Sequence, residues 1–117
     1  MLDSVKFEGK GYVKEITEDL IAGMQNSTRD YFVTKHSYGE QKSSMIVFQK
    51  YYLRASADST LSVLVCKDES ELVSIEAVVS GQGQGYLHVD SGSHSEFIKR
   101  FEEVALSMGF RKERMIY

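Results

Sequence analysis

A chain of 117 residues with 42% hydrophobic and 26% charged residues can bury a core without staples and is too apolar to stay disordered. Its net charge of −3 argues against a protein whose main task is to coat nucleic acid, because that binding needs a concentrated basic surface. The lone cysteine, Cys66, excludes an intramolecular disulfide, and no apolar run reaches the roughly 20 residues that span a bilayer, so a single cytoplasmic domain over residues 1–117 is expected.

Val5 and Phe7 alternate with Lys6 and Glu8, which predicts a first strand ended by Gly9 and Gly11. From Tyr12 to Gln25, Val13, Ile16, Leu20 and Met24 recur at helical spacing with Tyr12 and Ile21 alongside, predicting a helix with one buried stripe. Lys14, Glu15, Glu18 and Asp19 form its solvated side. Gly23 costs this helix about 1 kcal/mol relative to alanine, so a close approach to a sheet is expected there.

Asp30 to Tyr38 is rich in aromatic and β-branched residues and reads as a strand, followed by a turn at Gly39 to Lys42. Ser44 to Arg54 reads as a long strand whose two phases both carry aromatics. Met45, Val47, Tyr51 and Leu53 share one phase; Ile46, Phe48, Lys50, Tyr52 and Arg54 share the other. Ala55 to Thr60 reads as a connection, and Leu61, Val63 and Val65 alternate with Ser62, Leu64 and Cys66 in a further strand. After a turn at Asp68 to Ser70, Val73, Ile75, Ala77 and Val79 form the apolar face of the clearest strand in the chain.

Gly81, Gly83 and Gly85 break that strand, and a short strand from Tyr86 to Val89 is expected next. Ser93 and Glu96 stand in the relation of a capping box. They precede a helix on which Phe97, Phe101, Val104 and Met108 form a stripe. Gly109 is placed to end this helix, and Arg111 and Lys112 to complement its negative pole.

Short links between successive strands imply antiparallel hairpins, since parallel neighbours need long crossovers. Two amphipathic helices must then bury their stripes on the sheet. The expected fold is a two-layer α+β domain: a curved antiparallel sheet of five or six strands, two helices on one face, element order β-α-β4/5-α.

That order is similar to the TATA-binding-protein-like and helix-grip folds, and the resemblance implies that an apolar ligand could sit between the sheet and the long helix. The run VSGQGQGYLHVDSGSHSEFIKRFEEV, preceded by QKYYLRASADSTLSVLV, also resembles a small family of uncharacterised single-domain bacterial proteins from Gram-positive species. The resemblance spans roughly the last two thirds of the chain and implies a fold without an established activity.

Local motifs offer little chemistry. GQGQG could turn backbone N–H groups toward a phosphate. It lacks the lysine and hydroxyl residue of a P-loop and leads into a strand, so it reads as a turn or bulge. His88, Asp90 and His94 lie close in sequence, but their spacing matches no ligand motif and they read as the approach to a capped helix. Cys66 reads as a buried, inert thiol in mid-strand. No catalytic triad order, HExxH, CxxC or nucleotide fingerprint is present, so an enzyme ranks behind a binding protein, and no metal or cofactor is expected.

Two functions follow. The first is a non-enzymatic binding or assembly module that self-associates or meets a protein partner through an open sheet face or edge. That face is expected to gather Phe32, His36, Lys50, Tyr52, Arg54, Cys66 and Glu76, with the tail Met115-Ile116-Tyr117 adding to the contact. The second is a carrier of a small apolar ligand in a cavity between the sheet and the C-terminal helix, lined by Phe97, Phe101 and Met108.

Overall fold

A computed structural model describes residues 3–28, 30–38, 41–52, 57–67, 70–83 and 95–113. The elements are β1 (Asp3–Lys10), α1 (Val13–Met24) with a 3-10 turn at Gln25–Ser27, β2 (Asp30–Tyr38), β3 (Gln41–Tyr52), β4 (Ala57–Lys67), β5 (Leu72–Gly83), α2 (Ser95–Ser107) and β6 (Arg111–Glu113). The fold is α+β: a curved antiparallel sheet of six strands in the order β2-β3-β4-β5-β1-β6, with both helices packed on one face.

Register decides which side of each strand is core. Ile46 pairs with Val63, Val63 with Ala77, and Ala77 with Val5; one pair along, Phe48, Leu61 and Val79 form a second apolar row. All of these residues are buried beneath the helices. This settles the ambiguous long strand: the phase of Ile46 and Phe48 faces the helices, while Met45 and Val47 face the other way.

Helix α1 lies over β3 and β4 and sinks Val13, Ile16, Leu20 and Met24 into the core. Helix α2 lies over β1, β4 and β5, with Phe97, Phe101, Val104 and Ala105 buried. The Phe101 ring meets Phe7 edge-on, with centroids 6.1 Å apart. Burial of these aromatic and aliphatic side chains contributes about 1.5–3 kcal/mol each and is the main force holding the layers together.

Five expectations need correction. Gly81 and Gly83 do not break β5, which runs to Gly83 with Gly81 paired to Ser59 and Gly83 to Ala57. Gly9 does not end β1, which runs on to Lys10; a Cβ there would meet the buried ring of Phe110 at 2.8 Å. Gly23 makes its close approach to the side chain of Val104 on α2, so the crossing it permits is helix on helix. The connection expected at Ala55 to Thr60 is strand from Ala57 onward, because pairing to β3 and β5 on both sides outweighs the low β-propensity of Ala57 and Asp58. Arg111 and Lys112 belong to β6, where they pair with Glu8 and Phe7 of β1. Gly109 does end α2, with a φ of +91° that favours glycine.

A candidate binding surface centred on β2

Each β2 residue takes its face from its β3 partner. Tyr31 pairs with Phe48 and Val33 with Ile46, so the odd-numbered positions share the helix side. Phe32 pairs with Val47, Thr34 with Met45 and His36 with Ser43, so the even-numbered positions share the open side. The start of the strand is fixed by the Thr28 hydroxyl, which donates toward the carbonyls of Asp30 and Gln49 at 2.9 Å each. Among the described residues β2 is an edge strand, with β3 as its one neighbour in the sheet.

On the helix side, α1 covers β3 and β4 but leaves a groove between its outer surface and β2. This groove has a volume of about 600 Å³. Its apolar wall is Ile21 and Val33, both half-buried against the core, with Tyr31 beside them. Glu18, Asp30 and Lys35 stand around the rim. An apolar wall with a few charged groups at its margin suits a ligand with an apolar body and a polar end.

On the open side, Phe32, Met45, Leu64 and Val78 are exposed, and Phe32 is 62% accessible. Met45 and Leu64 are paired, and Val47 joins Phe32 to them. A depression of about 220 Å³ lies beside Phe32, Val47 and Thr60. Toward β1 and β6 the same face becomes ionic. Lys6 reaches both Glu76 and Glu113 at 3.6 Å, and Arg111 reaches Glu8 at 3.4 Å.

The residues anticipated on one open face therefore divide. Phe32, His36, Cys66 and Glu76 share it. Lys50 pairs with Ser59 in the helix-side phase of Ile46 and Phe48, so it does not join the group, and the side chain of Tyr52 lies outside the described residues. The error came from combining residues of different strands without register; a slip of one residue exchanges the faces. Cys66 is exposed, not buried, because its strand turns Val63 and Val65 inward. Glu76 is engaged in the ionic ladder with Lys6.

Phe97 and Phe101 are fully buried members of the core, and Met108 packs against it. Arg54, His88, Asp90, His94 and Met115-Ile116-Tyr117 lie outside the described residues, as does the second half of GQGQG. Among the described residues, no three His, Cys, Asp or Glu side chains converge as metal ligands, and no helix is long and apolar enough to cross a membrane.

Ile21, Val33 and Lys35 were not anticipated as site residues. The signal was present in Ile21, an apolar residue beside the buried stripe of α1, and in the alternation of Tyr31, Val33 and Lys35. Joining them required the placement of α1 relative to the sheet edge.

The architecture has a counterpart among solved structures. A hypothetical protein from Helicobacter pylori is 9% identical, with a TM-score of 0.55 over 92% of this chain and 87% of that one, a likeness of fold alone. A conserved protein from Geobacillus kaustophilus is 12% identical, with a TM-score of 0.45 over 97% of this chain and 100% of that one. The lipid transfer and protein localization domain of human StarD13 is 8% identical, with a TM-score of 0.38 over 88% of this chain and 76% of that one. No curated protein matches the sequence. Residues 2–109 match the family of unknown function DUF6054, and the chain belongs to that family.

Proposed function

We propose that the domain is a non-enzymatic binding protein that holds a small amphipathic ligand in the groove between α1 and β2. The observation that carries this reading is the groove itself, with Ile21 and Val33 half-buried in its wall and charged side chains confined to its rim. Its volume of about 600 Å³ falls within the size of a small-molecule site. This reading keeps the carrier function that the helix-grip resemblance implies and sets the ligand beside α1.

Two probes of equal chain length, decanoate and decylammonium, test the reading by amide chemical-shift perturbation. Either probe should shift the amides of Ile21, Ala22 and Val33 in a saturable manner. A preference for decanoate would assign the polar end to Lys35, and a preference for decylammonium to Glu18. Ile21→Gln should weaken the preferred probe by at least about fivefold, since a buried apolar contact is replaced by an amide. Shifts confined to residues outside the groove would sink the proposal.

A second reading, contact with a protein partner through the open face, is favoured by the exposure of Phe32 beside Val47, Met45 and Leu64. Aromatic and methionine side chains of this kind are enriched at interfaces. Its test is Phe32→Asp, which should abolish capture of a partner while leaving binding of the decyl probes intact.

A further inference from the structure

The edge of β2 is self-complementary. Two copies that pair antiparallel about a two-fold axis normal to the sheet keep their helices on the same side, so opposed residues must come from the same face. Because side chains alternate along the strand, only some registers satisfy this condition. With the axis at Val33, each Asp30 faces the partner copy's His36, each Tyr31 faces its Lys35, and Val33 meets Val33.

Each of these contacts is chemically favourable. The Asp30 carboxylate accepts a hydrogen bond from an imidazole N–H, the Lys35 ammonium lies beside an aromatic ring, and the two valines form an apolar centre. The neighbouring same-face registers lack this match. An axis at Thr34 sets Phe32 against His36 and Asp30 against Tyr38, and an axis at Phe32 sets Asp30 against Thr34. Among the described residues, Asp30 and Lys35 have no ion-pair partner within the chain; the Asp30 carboxylate accepts the Tyr31 N–H at 2.9 Å through one oxygen, which leaves the other for the partner copy, and His36 Nε2 lies 3.3 Å from the Thr34 hydroxyl, which leaves Nδ1. Residues Asp30, Tyr31, Phe32, Lys35 and His36 are all exposed.

We infer that a second copy of this chain docks on β2 in that register and extends the sheet across the two-fold axis. The edge is suited to the task, because its residues from Asp30 to Tyr38 include no proline and pair continuously with β3 on the other side. The pairing also sets the two α1–β2 grooves side by side over one continuous floor. It stands on the edge chemistry and does not require that either groove hold a ligand.

Strand pairing of this length is a small interface, so a dissociation constant on the order of 10–100 µM is expected. Sedimentation velocity from about 5 to about 500 µM covers that range. Wild-type protein should pass from monomer to dimer. His36→Asp opposes two carboxylates at each end of the pairing and should weaken the dimer by at least about tenfold. Adding Asp30→Lys to His36→Asp reverses the pair and should restore affinity to within about threefold of wild type. Both positions are exposed, so the variants should keep the wild-type circular dichroism and melting behaviour.

Amide exchange on the unmodified protein gives an independent reading: outward-pointing β2 amides should slow as concentration rises. A monomer throughout the range overturns the inference. So does a dimer indifferent to His36→Asp but disrupted by Leu64→Lys, which would place the contact on the open face instead. A loss of decyl-probe binding in a protein that still dimerises would count against the groove alone.

Discussion

The hydroxyl oxygens of Thr17 and Ser44 lie 2.6 Å apart in a wholly buried contact that joins α1 to β3. The Thr17 hydroxyl also lies 2.6 Å from the carbonyl of Val13, one helical turn back. Replacing Thr17 with valine preserves volume but leaves the Ser44 hydroxyl buried without its side-chain partner. Urea unfolding should register a loss of about 1–3 kcal/mol for Thr17→Val. The double variant Thr17→Val with Ser44→Ala should cost less than the sum of the two single changes, because it removes both polar groups together.

Gly23 offers a case in which two general rules give opposite signs. In an exposed helix interior, glycine to alanine stabilises by about 1 kcal/mol. Here the added methyl would overlap the side chain of Val104 at the crossing of α1 and α2. Overpacking of this kind costs about 1–3 kcal/mol, so Gly23→Ala should lower the melting temperature. Combining it with Val104→Ala frees the space and should recover part of the loss; equal stability of Gly23→Ala and wild type would show that the helices separate easily.

The fold was largely legible because its strongest signals are local. The alternation of Val73, Ile75, Ala77 and Val79 and the stripes of α1 and α2 each mark a buried face within a few residues. β3 was harder: Met45 and Val47 compete with Ile46 and Phe48, and only pairing to Val63 and Leu61 decides between the phases. β6 carries no alternation of its own across Arg111, Lys112 and Glu113, so its pairing with β1 could not be read locally. The groove was less legible still, because Ile21 and Val33 come from elements whose relative placement is a tertiary fact.

The attachment of β6 should depend on burial more than on charge. Phe110 is buried over Gly9, whereas the Lys112 pair with Glu102, although 2.8 Å long, is substantially solvent-exposed. Exposed ion pairs contribute about 0–1 kcal/mol and are screened by salt. Phe110→Ala should therefore cost about 3–5 kcal/mol. Lys112→Ala should cost under about 1 kcal/mol, with an effect that fades as salt is raised. Comparable losses would mean that the charged pair, not the ring, anchors the end of the chain.

Phe101 and Ile21 separate core packing from binding. Phe101 is fully buried against Phe7, so Phe101→Ala removes contacts that nothing nearby can replace and should cost about 3–5 kcal/mol. It lies apart from the α1–β2 groove, so at a temperature where the variant remains folded, decyl-probe affinity should stay within about twofold of wild type. Ile21→Gln should show the reverse pattern. Its half-buried site limits the stability loss to about 1–2 kcal/mol, while probe affinity falls at least about fivefold. Denaturant melts and probe titrations on the same two samples check both halves. If Phe101→Ala abolished binding and Ile21→Gln spared it, the ligand would lie under α2, in the position the helix-grip resemblance first indicated, and the groove beside β2 would be left to serve protein contact alone.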